Sequence, residues 1–478
     1  MSKDYSKYFA PSIKDARKRL NKNTNNIEYN LDDNYIGIGN KRTYVVKTYG
    51  CQGNLADSEK ISGIMDELGY KEVTEEAEAD VIIFNTCAIR DNAEQRVFGE
   101  LGRLKGLKKA NPNLLIVLCG CMPQEEATVE RVRKTYDQVD IMFGTHNIHK
   151  LPEYLNDAYL SKERIIEVMS FEGDIIENIP TKRVHKTKAW VNIMYGCDEF
   201  CTYCIVPYTR GKERSRLPQD IIDEVNRLHE EGYLEVTLLG QNVNAYGKDF
   251  IDRNYTFSNL LDDLNKTEMK RIRFTTSHPR DLDDATIEVM AKRGNIMPHL
   301  HLPVQSGSNE ILKKMNRKYT KESYLEKINK LKKLIPDISI TTDIIVGFPG
   351  ETDEDFKQTL ELVNEAGFEG AFTFIFSPRE GTPASKFEDN TSDEVKKERL
   401  LELNKLINEG FARGNKRFEG EIVEVLVEGT SSKNEKVLTG YTLHNKVVNF
   451  EGDLNLIGKL VNVKIEKAYS WHLKGVII

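Results

Sequence analysis

No run of apolar residues in this sequence approaches the ~20 that a membrane-spanning helix needs. Its N-terminal stretch, MSKDYSKYFAPSIKDARKRLNKNTNN, is polar and lacks the apolar centre of an export signal. A cytoplasmic location with no membrane partner is the expectation. Positive charge is not in excess either: 68 Lys and Arg face 75 Asp and Glu, for a formal net charge of −7. Contact with a polyanion then has to come from a local patch. Cysteine is scarce. Seven in 478 residues is an odd number, and in a reducing compartment clustered thiols serve metals or catalysis more often than disulfides. Internal repeats and low-complexity tracts are also missing. What remains is a chain 39% hydrophobic and 30% charged, the composition of a globular protein too long for one ordinary core.

The first forty residues, rich in Asn, Asp and Lys, show no sustained apolar period. They read as a flexible arm over 1–42, with a short helix around Ile13 to Leu20. Order begins at KRTYVVKTYG, a strand ending at Gly50. A helical stretch from Asp57 to Leu68 leads to ADVIIFNTC, and a second helix leads to NLLIVLCGC. Apolar runs alternating with helices predict an α/β domain with a parallel sheet. Residues 151–188 lose that pattern and read as a linker. Six further strands follow: AWVNIMYG, LEVTLLGQNV, RIRFTTSH, MPHLHLPVQSG, ISITTDIIVGFPGE and GAFTFIFSPREGT. Helical patterns such as QDIIDEVNRLHEEG and DEDFKQTLELVNEAG lie between them. Six is fewer than the eight of a closed barrel, so a partial (β/α)6 barrel is expected, with chemistry at the carboxyl ends of its strands. From about Arg417 the period switches to short alternating strands, the pattern of a small β-barrel. The expected division is an arm at 1–42, an α/β domain at 43–160, a barrel core at 183–415 and a β-barrel at 416–478.

Six cysteines fall at informative places. Cys51, Cys87 and Cys121 each sit just past one of the first three strands, 36 and 34 residues apart. In open parallel sheets ligands gather beyond the carboxyl ends of the strands. These residues are either buried small hydrophobes, the usual fate of a free cysteine, or ligands of one metal or cluster; the equivalent position on three strands favours the second. Cys119 lies within its strand and packs in the core. Cys197, Cys201 and Cys204 form C-x3-C-x2-C after the first barrel strand. A structural zinc takes four ligands and no nearby His or Cys completes the set, whereas thiolate-only ligation suits an iron–sulfur cluster. Three thiolates on a four-iron cluster leave one iron open.

That spacing, with Tyr203 before the last cysteine, resembles the radical S-adenosylmethionine (SAM) superfamily. Further stretches extend the resemblance: KTYGCQGNLADSE, NTCAIRDNAEQRV, CGCMPQ, YGCDEFCTYCIVPYTRGKERSR, TSHPRD, HLPVQSGSNEILKKMNRKYT, DIIVGFPGETDEDF and FSPREGTPAS. Together they are similar to the methylthiotransferases, most closely the branch acting on isopentenyladenosine in tRNA, from about residue 43 to the end. The resemblance implies an N-terminal cluster domain, a radical SAM core and a C-terminal RNA-binding TRAM module. It implies two 4Fe-4S clusters, Cys197, Cys201 and Cys204 holding the one that binds SAM and Cys51, Cys87 and Cys121 the auxiliary one. The implied substrate is a tRNA carrying N6-isopentenyladenosine at position 37, next to the anticodon. One SAM methylates sulfur held at the auxiliary cluster; a second yields a 5′-deoxyadenosyl radical that activates carbon 2 for methylthio insertion. An electron donor and a sulfur donor, neither identified by the sequence, are implied as partners.

The same likeness suggests SAM contacts at Gln241 after the second barrel strand, Gln305 and Ser306 after the fourth, and Gly347 at the fifth, with Tyr203 beside the first cluster. Glu351 serves SAM or caps the following helix. The C-terminal segment is no basic patch: residues 416–478 hold nine Lys and Arg against eight Asp and Glu. RGKERSR is a better basic cluster, either a solvated loop or an RNA contact, which makes Arg210 and Arg214 the RNA-binding candidates. Two other readings stay open. One is a methylthiotransferase for threonylcarbamoyladenosine in tRNA or for a ribosomal-protein aspartate. The other, from a different class, is a non-catalytic RNA-binding protein with structural clusters.

Overall fold

The computed structural model describes residues 24–88, 91–168, 174–251, 254–431 and 434–478; the helix expected around Ile13 to Leu20 lies outside them. Residues 24–42 depart from the expected arm. β1 (Asn26–Glu28) pairs in parallel with β8 (Ile175–Glu177). Strands of three residues are too short to show a period, which is why no pattern announced them.

The first unit is a six-stranded parallel sheet of order β3-β2-β4-β5-β6-β7. Its centre is the three apolar runs read from the sequence: β2 (Thr43–Thr48), β4 (Val81–Thr86) and β5 (Leu115–Gly120). β3 (Lys71–Glu72), β6 (Ile141–Phe143) and β7 (Ile165–Glu167) widen it. Four helices cover both faces, as an all-parallel sheet requires. Ile61 and Ile64 of α1 (Gln52–Glu67) and Leu151 and Leu155 of α4 (Leu151–Ser161) are buried on one side. Leu101 and Leu104 of α2 (Asp91–Ala110) and Val129 and Val132 of α3 (Glu126–Thr135) are buried on the other. Each such side chain contributes about 1.5–3 kcal/mol by leaving water. The segment expected as a linker is therefore structured: α4 and β7 complete this unit, which runs past residue 160.

The second unit contains all six expected strands in chain order: β9 (Lys188–Asn192), β12 (Glu235–Leu239), β13 (Arg271–Phe274), β14 (His299–His301), β15 (Ser339–Val346) and β16 (Ala371–Ile375). They are parallel in two groups of three, joined by the single bridge Ile272–Ile296. The barrel is open, as six strands predict. Alternation sorts its faces: Val191, Val236, Leu238, Ile272, Leu300 and Ile344 pack under the helices, and Glu235, Arg271, Arg273 and His301 face the other way. α6 (Pro218–Glu230) follows β9, and α12 (Asp393–Lys416) follows β16.

The third unit is a closed five-stranded barrel of β17 (Ile422–Ser431), β18 (Asn434–Thr442), β19 (Val447–Glu451), β20 (Leu460–Ala468) and β21 (Leu473–Ile477). It caps the starts of the core strands, the end away from the cysteines. Arg271, the first residue of β13 and fully buried, donates to the Tyr441 carbonyl at 2.9 Å and to Glu424 at 2.9 Å. Lys188 pairs with Glu428, and Lys446 with Glu369 at 2.9 Å. Arg271→Ala leaves the buried Glu235 with one fewer cation. It is expected to destabilise the chain by about 3 kcal/mol, read as a lower denaturation midpoint, with faster proteolytic release of residues 416–478.

Candidate metal centres

β2, β4 and β5 are adjacent and parallel, so Cys51, Cys87 and Cys121 share one edge of the sheet. Cys51 is the N-cap of α1, which starts earlier than the sequence suggested. Gly50 brings it against the next turn: its φ is 141°, and a Cβ there would lie 2.5 Å from the Cys87 Cβ. The Cys121 N–H donates to the Thr86 carbonyl at 2.7 Å. Asn54 and Asn85 lock the turns together, the Asn54 amide donating to the Thr86 carbonyl at 3.0 Å and the Asn85 amide to the Asn54 carbonyl at 2.8 Å. Cys119, still inside β5, is buried in the apolar layer with Val117 and Ile141.

Cys197, Cys201 and Cys204 occupy the loop after β10 (Met194–Tyr195), which pairs with β11 (Arg214–Ser215). Gly196 has φ 76°, and a Cβ on it would fall 1.8 Å from the Lys212 carbonyl oxygen. The Cys197 N–H donates to Gly211 and the Cys204 N–H to Cys201, both at 3.0 Å. Arg317, buried, donates to the Cys201 sulfur at 3.3 Å and to the Pro303 carbonyl at 3.1 Å. The two sites adjoin: Cys121 packs with Ala88, Phe200, Ile205 and Tyr208.

Burial pushes the Cys121, Cys197 and Cys204 thiols up. Cys197 is held well above the ordinary range by burial and then by Glu213; Cys204 is pushed up to about 12 by burial and then by Cys201. A bound cationic group that prefers thiolate offsets that penalty. Among the described residues, only Glu199, His278 and Asp281 gather three such ligand atoms within 4.8 Å of one another. Neither triad closes as tightly as the ~2.3 Å bonds of a single zinc would require; a cluster of several irons suits the wider spread. Arg280 pairs with both Glu199 and Asp281, so that carboxylate group already has its cation.

The expected SAM residues are placed as follows. The Gln241 side-chain oxygen accepts the Gly196 N–H at 2.5 Å, tying the cysteine loop to β12. Tyr203 meets Phe348 edge-on at 6.4 Å. Gln305, at φ 71°, exchanges main-chain bonds with Asp343 and Ile345. Ser306 is fully buried, its hydroxyl accepting the Ser308 N–H at 3.2 Å. Gly347, at φ 66°, donates its N–H to Glu351 at 2.7 Å, and Glu351 pairs with Arg399 at 2.8 Å. Glu351 is not the helix cap; Thr352 caps α11 (Asp353–Ala366). RGKERSR is corrected too. Arg210 and Arg214 are both buried, because Asp57 pairs with Arg210 at 2.7 Å and Arg214 lies 5.7 Å from the Tyr195 ring. Both line a small cleft with Lys60 and Tyr195 instead of standing on an exposed loop.

Comparison with known proteins fits these three units. Residues 43–144 match the uncharacterized protein family UPF0004, 191–363 the Radical SAM superfamily and 416–478 the TRAM domain. The chain is 58% identical to the tRNA-2-methylthio-N(6)-dimethylallyladenosine synthase of Bacillus licheniformis, over 100% of this chain and 95% of that one. The synthase of the same name from Bacillus subtilis is also 58% identical, over the same shares. The chain belongs to this synthase family. Among solved structures, the radical SAM methyltransferase TsrM from Kitasatospora setae shares the fold, with a TM-score of 0.52 at 14% identity, over 71% of this chain and 75% of that one.

Membership of the radical SAM superfamily brings a 4Fe-4S cluster and SAM with it. For a synthase of this family, the sequence reading left several residues of the site without a role. Arg317 lies far along the chain from Cys201, inside HLPVQSGSNEILKKMNRKYT, and its place in that stretch did not point to the cysteine loop. Glu199, inside the C-x3-C loop, is pushed up to about 7 by burial and then by Asp281, with Arg280 opposing. Its partners His278, Arg280 and Asp281 all lie in TSHPRD, which was the available signal.

Beside Tyr208, a cleft of about 870 Å³ separates α3 from the loop at 378–386. Glu125 on its wall is pushed up to about 8 by burial and then by Glu94, against Arg379. A carboxyl raised from 4.5 binds its proton more tightly folded than unfolded, so its penalty is absent at low pH and grows as pH rises from 4.5 to about 8. Glu125→Gln is expected to flatten the decline in urea midpoint across that window. Gly196→Ala is expected to cost about 1–2 kcal/mol for the backbone alone, and more for the clash with Lys212; iron retained per chain after reconstitution measures the damage.

Proposed function

We propose that this chain is a methylthiotransferase that places a methylthio group on carbon 2 of N6-isopentenyladenosine, at position 37 of tRNA. The observation that carries the reading is full-length 58% identity to synthases of that name. The adjoining cysteine triads, one from each of two units, support it. Cys197, Cys201 and Cys204 hold one 4Fe-4S cluster in this reading, and Cys51, Cys87 and Cys121 hold a second. When bound with SAM, such a cluster supplies radical chemistry at an unactivated carbon–hydrogen bond, which no side chain can attack.

The chain's own part is to bind, orient and exclude water. Gly196, Gln241 and the β10–β11 pair fix the first cysteine loop, and Arg317 donates to one of its sulfurs. Tyr203 and Phe348 wall the site, and Gly347, at φ 66°, turns the chain after β15 against the Lys396 side chain, 2.4 Å from where a Cβ would stand. Phe200, Ile205 and Tyr208 keep the space beside Cys121 dry, so a reactive species meets substrate rather than solvent. The substrate gains one sulfur, so turnover calls for a sulfur donor as well as an electron donor. Among the described residues no helix is long and apolar enough to cross a membrane.

Anaerobic reconstitution is expected to load about eight irons per chain, falling to about four when either triad is changed to alanine. With SAM, a reductant and tRNA bearing isopentenyladenosine, the nucleoside is expected to gain a methylthio group by mass; tRNA without the isopentenyl group is not. Iron that stays at about four until Cys197, Cys201 and Cys204 are removed would reduce the reading to one cluster.

A further inference from the structure

Arg210 closes the short helix α5 (Val206–Thr209), which begins two residues after Cys204, yet its guanidinium is buried in the first unit. Its Nη2 lies 2.7 Å from the Asp57 carboxylate on α1. Burial raises the Cys121 thiol, and the charge of the same guanidinium, which also acts on Cys51, opposes that rise. A Cβ built on Gly53 would touch both neighbours, 3.5 Å from the Cys51 sulfur and 3.6 Å from Arg210 Nη2. One cation from the segment carrying the first triad is thus placed among the thiols of the other.

This arrangement has an electrostatic consequence. A thiolate-bound cluster is anionic, and adding an electron in a buried site is opposed by that charge. A guanidinium standing beside the sulfurs eases reduction, and its counter-ion works the other way. Building on the two-cluster reading above, we propose that Arg210 is a positioning residue of the Cys51–Cys87–Cys121 site, holding its thiolates and setting the charge there, with Asp57 as the opposing group.

The test uses the full chain with Cys197, Cys201 and Cys204 changed to alanine, reconstituted anaerobically so that only the auxiliary site titrates. Its midpoint potential is read by electron paramagnetic resonance during a reductive titration. Arg210→Gln is expected to lower the potential, Asp57→Asn to raise it and Arg210→Lys to stay near the parent. Both neutralising changes break the same ion pair, so a merely structural pair moves them in the same direction. Shifts of equal sign, or none, overturn the proposal. Should Arg210→Gln fail to take up iron, Asp57→Asn decides alone: a rise supports the proposal, a fall or no change overturns it. A parent that binds no iron removes the two-cluster reading instead, and the proposal with it.

Discussion

A guanidinium taken out of water keeps its charge and has to find a carboxylate. Three arginines make that demand where the first unit meets the core. Arg183 lies between Glu59 of α1 at 3.0 Å and Glu224 of α6 at 2.8 Å. Arg216 joins the same Glu224, at 2.6 Å, to Glu177 of β8. Arg210 reaches Asp57. Arg183–Glu59 and Arg210–Asp57 cross the boundary and Arg216–Glu177 ties the core to β8, so separating the units would strand several buried charges at once. Gly63 adds to this, since a Cβ there would sit 2.1 Å from the Pro180 carbonyl oxygen. The nearness of the two cysteine triads follows from this lock.

The stretch from Gly196 to Arg216 does two jobs. It folds back on itself through β10 and β11 to present Cys197, Cys201 and Cys204, and it lays Phe200, Ile205, Tyr208 and Arg210 against the turn that carries Cys121. The two sites therefore share about a dozen residues of continuous chain, from Cys197 to Arg210.

What was legible in the sequence depended on distance along the chain. C-x3-C-x2-C is local and could be read directly. Cys51, Cys87 and Cys121 are distant from one another, but apolar runs of strand length announced the parallel sheet that aligns them. The closed C-terminal barrel showed itself by alternation. The short strands β1 and β8 escaped, since three residues carry no period. RGKERSR misled for another reason: a basic run reads as surface, and only the fold reveals that Asp57, 153 residues earlier, takes Arg210 into the interior. Arg317 beside Cys201 has the same character.

The small barrel closes over the starts of strands laid down much earlier in the chain. Lys188 waits for Glu428, and Arg271 for Glu424 and Tyr441. On a ribosome, then, the floor of the core stays open until the small barrel has emerged, by which point every cysteine has already left the tunnel. The thiols at the far end are presented first, and the buried charges at Arg271 and Glu235 are settled only when the small barrel has formed.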